Sequence, residues 1–219
     1  MNESENTKQK GNSYLLTGIG NNMDYSDIKN FRTQVPEGKI GLWSIRRFTV
    51  SEKNASVERI RSVYSFSSRG RCVPAGTYTR LLRDKVVVMS DTPDELSDCL
   101  SAWYHAEGFC LINGLGLGLI TELCLMKSEV EKITVIEIDS DVIKLVGEHL
   151  FSKYGMKRLE IINTDALQYK SPPKFKYNMV WHDIWDNICA DNLNDMKKLH
   201  RKYGQKTKWQ GSWCRDWIR

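Results

Sequence analysis

The sequence predicts an α/β protein: a mostly parallel sheet with helices in its crossovers, preceded by a smaller α+β extension. Three observations predict it. Residues 109–139 run as a buried strand, a glycine-rich turn, a helical stretch and a second strand that ends in acid. Two further strand-like runs, 159–163 and 177–182, follow at intervals of roughly two dozen residues, the beat of a βα array. Each of the last three strands ends beside a carboxylate, at Glu137, Asp165 and Asp183. The acids therefore gather at the carboxyl edge of the sheet, where open α/β sheets bind ligands.

Each element has a local reason. Residues 1–36 hold glycine and asparagine clusters, few apolar runs and no apolar leader segment, and read as a mobile tail and loop. Residues 40–50 alternate loosely and suggest a strand. Residues 55–66 suggest a short helix, with Val57, Ile60, Val63 and Tyr64 at offsets of three and four. Pro74-Ala-Gly76 marks a turn, and 77–82 with 86–89 read as a hairpin around Arg83-Asp84-Lys85. Thr92 as N-cap, Pro93 in the first turn and Glu95 completing a capping box start a helix that runs to about His105. The stretch 37–108 is short for a strong core of its own, and reads as an N-terminal α+β extension that acts as a substrate-side lid.

The core, residues 109–219, begins with the apolar strand before Asn113. The stretch 109–126 is apolar enough to be compared with a membrane span, but Asn113 and Glu122 would be costly in lipid, so no membrane is expected. Residues 140–150 form the next helix, with Ile143, Val146 and Leu150 on one face. Residues 192–203 form another, stopped by Gly204. Residues 207–212 suggest a fifth strand. A full fold of this type continues into two more strands, so the core is expected to be trimmed at its C-terminal side.

The turn after the first core strand carries the ligand chemistry. Gly114, Gly116 and Gly118 let the backbone bend sharply and approach a ligand with no Cβ in the way. Glu137 stands where a carboxylate takes both hydroxyls of a ribose. Asp165, followed by Ala166, can accept a hydrogen bond from an adenine amino group. A dinucleotide fingerprint needs its third glycine where this chain has Leu119. The Gly-x-Gly-x-Gly spacing resembles instead the class I enzymes that use S-adenosylmethionine (SAM), a cofactor without a pyrophosphate. SAM is the expected cofactor.

Composition narrows the classes. The chain has 219 residues, 41% hydrophobic and 27% charged, which suits one domain or one core with an appendage. Its six cysteines are scattered, with no pair at two-residue spacing. That argues against a disulfide framework and a zinc site, and for a reducing cytoplasm; no metal is expected. The net charge of +5 is concentrated after Ala190, where eight basic residues face three acids, with Trp209, Trp213 and Trp217 interleaved. Basic and aromatic residues together can mark a nucleic-acid surface. The four-residue spacing of the tryptophans favours docking of the terminus onto the core, as one helical face or, if extended, one strand face.

A family resemblance sharpens the reading. Val135-Ile-Glu-Ile-Asp-Ser-Asp-Val-Ile143, Asn163-Thr-Asp-Ala166 and Asp183-Ile-Trp-Asp186 resemble the spermidine synthase branch of the class I SAM-dependent methyltransferase superfamily, over roughly a third of the chain. The resemblance implies a Rossmann-like fold, ribose binding by Glu137, adenine binding by Asp165, and an amine-handling pair at Asp183 and Asp186. Over its whole length the chain is also similar to small methyltransferase-like proteins of bacteria and their phages, in phrases such as Gly76-Thr-Tyr-Thr-Arg-Leu and Trp181-His-Asp-Ile-Trp. That similarity supports the fold and leaves the substrate open. The synthases' Tyr-His pair after an acidic turn appears here as Tyr104-His105 at a different, longer distance from Asp94-Glu95. The expected function is therefore methyl transfer from SAM to an acceptor that the sequence does not name. Aminopropyl transfer is the alternative, and a SAM-fold binding or assembly protein without catalysis is the second class. Asp183 is the leading candidate for base or amine anchor and Asp186 the weaker one. His182, if the strand continues, points to the opposite face.

Overall fold

Two sheets organise the residues that the structure, a computed structural model, describes: Met23, residues 25–64 and residues 72–218. The first is antiparallel, in the order β1-β2-β3-β4. Its part of the chain runs α1 (Tyr25–Asn30), β1 (Gly38–Ile40), β2 (Trp43–Val50), α2 (Glu52–Tyr64), β3 (Gly76–Arg83), β4 (Val86–Ser90), α3 (Pro93–Asp98) and α4 (Leu100–His105).

Several expectations change here. The strand expected at 40–50 is broken at Gly41-Leu42, where Gly41 has φ +55 and its missing Cβ leaves room for the Asp141 carboxylate. The tail expected over 1–36 is folded from Tyr25 onward, and Ile28, Thr33 and Val35 are fully buried. The buried Asp91 holds it in place, accepting hydrogen bonds from the N–H groups of Thr33 (3.1 Å) and Thr79 (2.6 Å). Residues 1–22 and 24 lie outside the described residues, as does Phe66 of the helix expected at 55–66. That helix starts three residues earlier than expected and buries Ala55, while Val57 and Ile60 face solvent. Thr92 and Pro93 do begin α3, but the Thr92 hydroxyl pairs with Ser90 (3.2 Å) and makes no cap bond. The helix expected to reach His105 is interrupted at Cys99.

The second sheet is wholly parallel, in the order β7-β6-β5-β8-β9. Its elements are β5 (Gly108–Asn113), α5 (Leu119–Leu125), β6 (Val130–Glu137), α6 (Ser140–Val142), a π-helical turn (Ile143–Gly147), α7 (Glu148–Tyr154), β7 (Leu159–Asn163), β8 (Tyr177–His182), α8 (Asn192–Tyr203) and β9 (Thr207–Ser212). The chain winds outward from β5 to β7, then returns to the other side of β5, which makes the fold Rossmann-like with its switch point between β5 and β8. The central strand runs into the core, with Cys110, Leu111, Ile112 and Asn113 all buried. The π turn ends at Gly147, where a Cβ would come within 2.9 Å of Ile161. Glu122, buried in α5, accepts from Lys153 Nζ at 2.6 Å and Tyr154 at 3.3 Å.

Of the C-terminal tryptophans, Trp209 docks as a strand residue. Trp209 of β9 stacks on Trp181 (6.3 Å between centroids) and on His105 (4.3 Å), with the ring planes nearly parallel. Trp213 packs half-buried against the core, and the Trp217 side chain is outside the described set. Among the described residues the cysteines are free, no group of three potential ligands could hold a metal, and no helix is long and apolar enough to cross a membrane. Burial pushes the Cys110 thiol up to about 12, so it behaves as a small hydrophobe.

Candidate functional site

A cleft of about 620 Å³ opens at the carboxyl edge of the parallel sheet, with the antiparallel sheet as its other wall. The glycine turn forms its floor. Gly114 follows β5 with φ +98 and donates its N–H to the Ile136 carbonyl (2.8 Å); a Cβ there would overlap the Asp183 carbonyl oxygen. Gly116, at φ +51, sits where a Cβ would come within 2.6 Å of the Met89 sulfur. The next N–H, of Leu117, points at that sulfur (3.3 Å). Gly118 does not line the cleft as expected. Its φ of +74 opens α5, and its bare Cα lets Val146 and Leu150 pack close.

Glu137 ends β6 at the rim. One carboxylate oxygen accepts the Leu115 N–H (2.8 Å), which ties it to the glycine turn; the other accepts the Asp139 N–H (2.9 Å). Burial raises its pKa above the ordinary carboxylate value, and these two N–H groups oppose that. Each oxygen keeps a lone pair for a diol. Asp139 caps α6 through the Asp141 N–H (2.9 Å) and also accepts the Trp43 indole N–H at 2.6 Å, so β2 is tied to this rim. Asn163 donates to the carbonyls of Glu137 and Ile138, both at 2.9 Å, and fixes the rim from below. Asp165 lines the cleft with one oxygen on the Leu167 N–H (2.7 Å). Ala166, also in the lining, is buried, and its carbonyl takes Lys202 Nζ (2.9 Å).

Asp183 and Asp186 both reach the cleft from the segment after β8. Asp183 N–H donates to the Asn113 carbonyl (2.8 Å), which extends the strand pairing by one residue and turns its side chain inward. Burial, reinforced by the charges of Asp98 and Glu137 and opposed by the Trp181 indole, pushes its carboxyl up to about 7. His182 faces the other way. It is fully buried, accepts from Asn113 Nδ2 at Nδ1 (2.8 Å), and so presents its Nε2–H to Gln210 (3.3 Å). Burial pushes its pKa down to about 3, and it stays neutral. Asp186 is ion-paired with Arg83 at 2.6 Å, and the Arg83 guanidinium lies over the Trp43 ring at 5.7 Å.

The wall from the antiparallel sheet, Trp43, Arg83, Val88 and Met89 among others, carries no sequence motif. Only the expectation of a lid pointed toward it. The charge of the lining is lopsided: six carboxylates (Glu95, Glu137, Asp139, Asp165, Asp183, Asp186) face one described cation, Arg83, which is already paired. Such a cleft can hold a ribose diol at Glu137, attract a cationic donor, and offer at Asp183 a carboxyl that exchanges its proton near neutrality.

No protein-family profile matches the chain. It is similar to the polyamine aminopropyltransferase of Buchnera aphidicola subsp. Schizaphis graminum, 30% identical over 98 residues that make up 42% of this chain and 34% of that protein. The same enzyme from Buchnera aphidicola subsp. Acyrthosiphon pisum is 33% identical over 88 residues, 38% of this chain and 30% of that one. The chain thus spans about a third of the length of the curated relatives it matches. Among solved structures, the 23S rRNA methyltransferase ErmE aligns at TM-score 0.41 and 18% identity, covering 53% of this chain and 43% of its own. An S-adenosylmethionine-dependent methyltransferase from Clostridium acetobutylicum aligns at TM-score 0.36 and 15% identity, covering 52% and 43%.

Proposed function

We propose that the cleft binds SAM or a close sulfonium relative and that the protein transfers the donor's methyl group to an acceptor. The observation that carries this reading is the acid lining. A dinucleotide brings two phosphate charges, which Glu137, Asp139, Asp165 and Asp183, all in the lining, would repel. A sulfonium brings the opposite charge and gains from the same field. Glu137 would take the ribose hydroxyls while Leu115 and Asp139 hold its carboxylate in place. Asp165 would face the adenine amino group, and Gly114 and Gly116 would let the donor lie on the turn. The sulfonium is already activated, so the protein's share is alignment, exclusion of water and removal of a proton. Asp183 is the group suited to that last task, since a carboxyl near 7 is half ionised at neutral pH.

Aminopropyl transfer is the second reading, favoured by the local similarity to the polyamine enzymes and by Asp183 and Asp186, which would hold a cationic amine. Calorimetry with SAM tests the donor site: saturable heat with a rise in Tm is expected, and the absence of both would refute the reading. Incubation with methyl-labelled SAM, or with decarboxylated SAM and a diamine, followed by mass analysis, separates the two transfers.

A further inference from the structure

No cation of the C-terminal third lines the cleft, and several of them lie on α8 and at the amino ends of β8 and β9. α8 turns Asn192, Met196, Leu199 and Tyr203 inward and leaves Lys197, Lys198 and Arg201 outside. Lys197 and Arg201, four residues apart, stand about 6 Å from each other along the helix. They form a like-charge pair on the outer side of the helix, which is unfavourable in the free protein. Asp195 is occupied by Lys198 at 2.9 Å. Beyond the helix, the Lys206 carbonyl accepts the Tyr177 N–H (2.8 Å), which brings Lys206 beside Lys174-Phe175-Lys176 at the amino end of β8. There Phe175 meets Phe109 edge-on at 5.4 Å, and Phe109 is 37% exposed. Among the described residues no carboxylate pairs with Lys174, Lys176, Lys197, Arg201 or Lys206.

We infer that this face binds single-stranded nucleic acid, with the phosphates along Lys197, Arg201, Lys206, Lys174 and Lys176 and a base against the Phe109 ring. A row of cations beside an exposed aromatic is what a sequence-tolerant strand binder needs. A membrane surface fits less well, because no large apolar residue of α8 or β9 is strongly exposed to enter it. An acidic protein would leave the ring without a role. Asn192, at the start of α8, lines the cleft, so the cationic row runs from the far edge of the sheet toward the cleft rim, about 17 Å along the helix. The binding stands independently of the donor.

The experiment is fluorescence anisotropy of the full chain with a labelled 20-nucleotide oligouridylate, at 50 and 200 mM salt. Neutralisation of about five phosphates predicts an affinity that falls roughly a hundredfold between the two. The double variants Lys197→Glu/Arg201→Glu and Lys174→Glu/Lys176→Glu should each weaken binding at least about tenfold at 50 mM salt, with Tm held. Phe109→Leu, which keeps the apolar contact with Phe175, should weaken binding while leaving the salt slope unchanged. Absence of binding at 50 mM salt, or unchanged affinity in both charge-reversal variants, would overturn the proposal. So would equal affinity for polyglutamate, for phosphatidylserine vesicles or for a duplex of the same length, or a Phe109→Leu variant that binds as the wild type does.

Discussion

At the scale of single residues, the two cleft glycines differ in what opposes a side chain. A Cβ on Gly116 meets the end of a flexible methionine, whereas one on Gly114 meets the Asp183 backbone. Gly114→Ala should therefore cost about 2–4 kcal/mol in urea unfolding, from left-handed strain and overlap together, and Gly116→Ala clearly less. Glu137→Gln must turn an amide N–H toward one of the two backbone N–H groups that now donate to it. Calorimetry should show donor affinity down about a hundredfold, or 2–3 kcal/mol. Asp183 makes a prediction with a pH signature. Its folded pKa of about 7 lies above the unfolded value, so the fold favours the protonated form. The stability this confers is complete below about pH 4 and is lost as pH rises through 7. Asp183→Asn imitates the protonated carboxyl, and should raise Tm at pH 8 while matching the wild type at pH 4. Wild-type transfer should rise with pH through about 7, and the variant should lose about 10²–10⁴ in turnover. An active Asp183→Asn variant would return this residue to a packing role.

Among the elements, the tie between β2 and α6 is the contact that most affects the cleft. Trp43→Phe keeps a ring on the wall and removes the hydrogen bond to Asp139. Stability should fall by about 1 kcal/mol, and calorimetry should show weaker donor binding, because the Asp139 N–H that supports Glu137 sits on the released segment. The elements also show what could be read from the sequence. Strands β7, β8 and β9 lie at the expected 159–163, 177–182 and 207–212, because short runs between turn residues have one extended solution when a parallel sheet encloses them. Glu137, Asp165 and Asp183 were legible for the same reason, as strand ends. The π turn was not, since the apolar spacing of Val146 and Leu150 fits an ordinary helix. Gly118 was read as ligand-binding because a sequence motif cannot say which side of a turn faces solvent. Trp43, Arg83 and Met89 were missed because their part in the cleft depends on how one sheet approaches the other, and no local spacing records that.

For the whole molecule, the antiparallel sheet closes the cleft and reaches it through three separate contacts: Trp43 on Asp139, Arg83 on Asp186, and Met89 on the Leu117 N–H. Limited proteolysis should consequently release no stable fragment ending near Gly108, and recovery of a folded 37–108 piece would contradict this arrangement. About a quarter of the cleft lining comes from the antiparallel sheet and most of the rest from the parallel sheet and its loops, so an occupant acts as a rivet between them. Amide hydrogen exchange should then slow on ligand addition in β2 and β4 as well as in β5 and β6, even though the two pairs share no ladder hydrogen bonds. A protein built this way has two sheets, already joined through a common core, that are drawn tighter by what it binds, and a mutation that loosens either one is felt first as a weaker grip on the ligand.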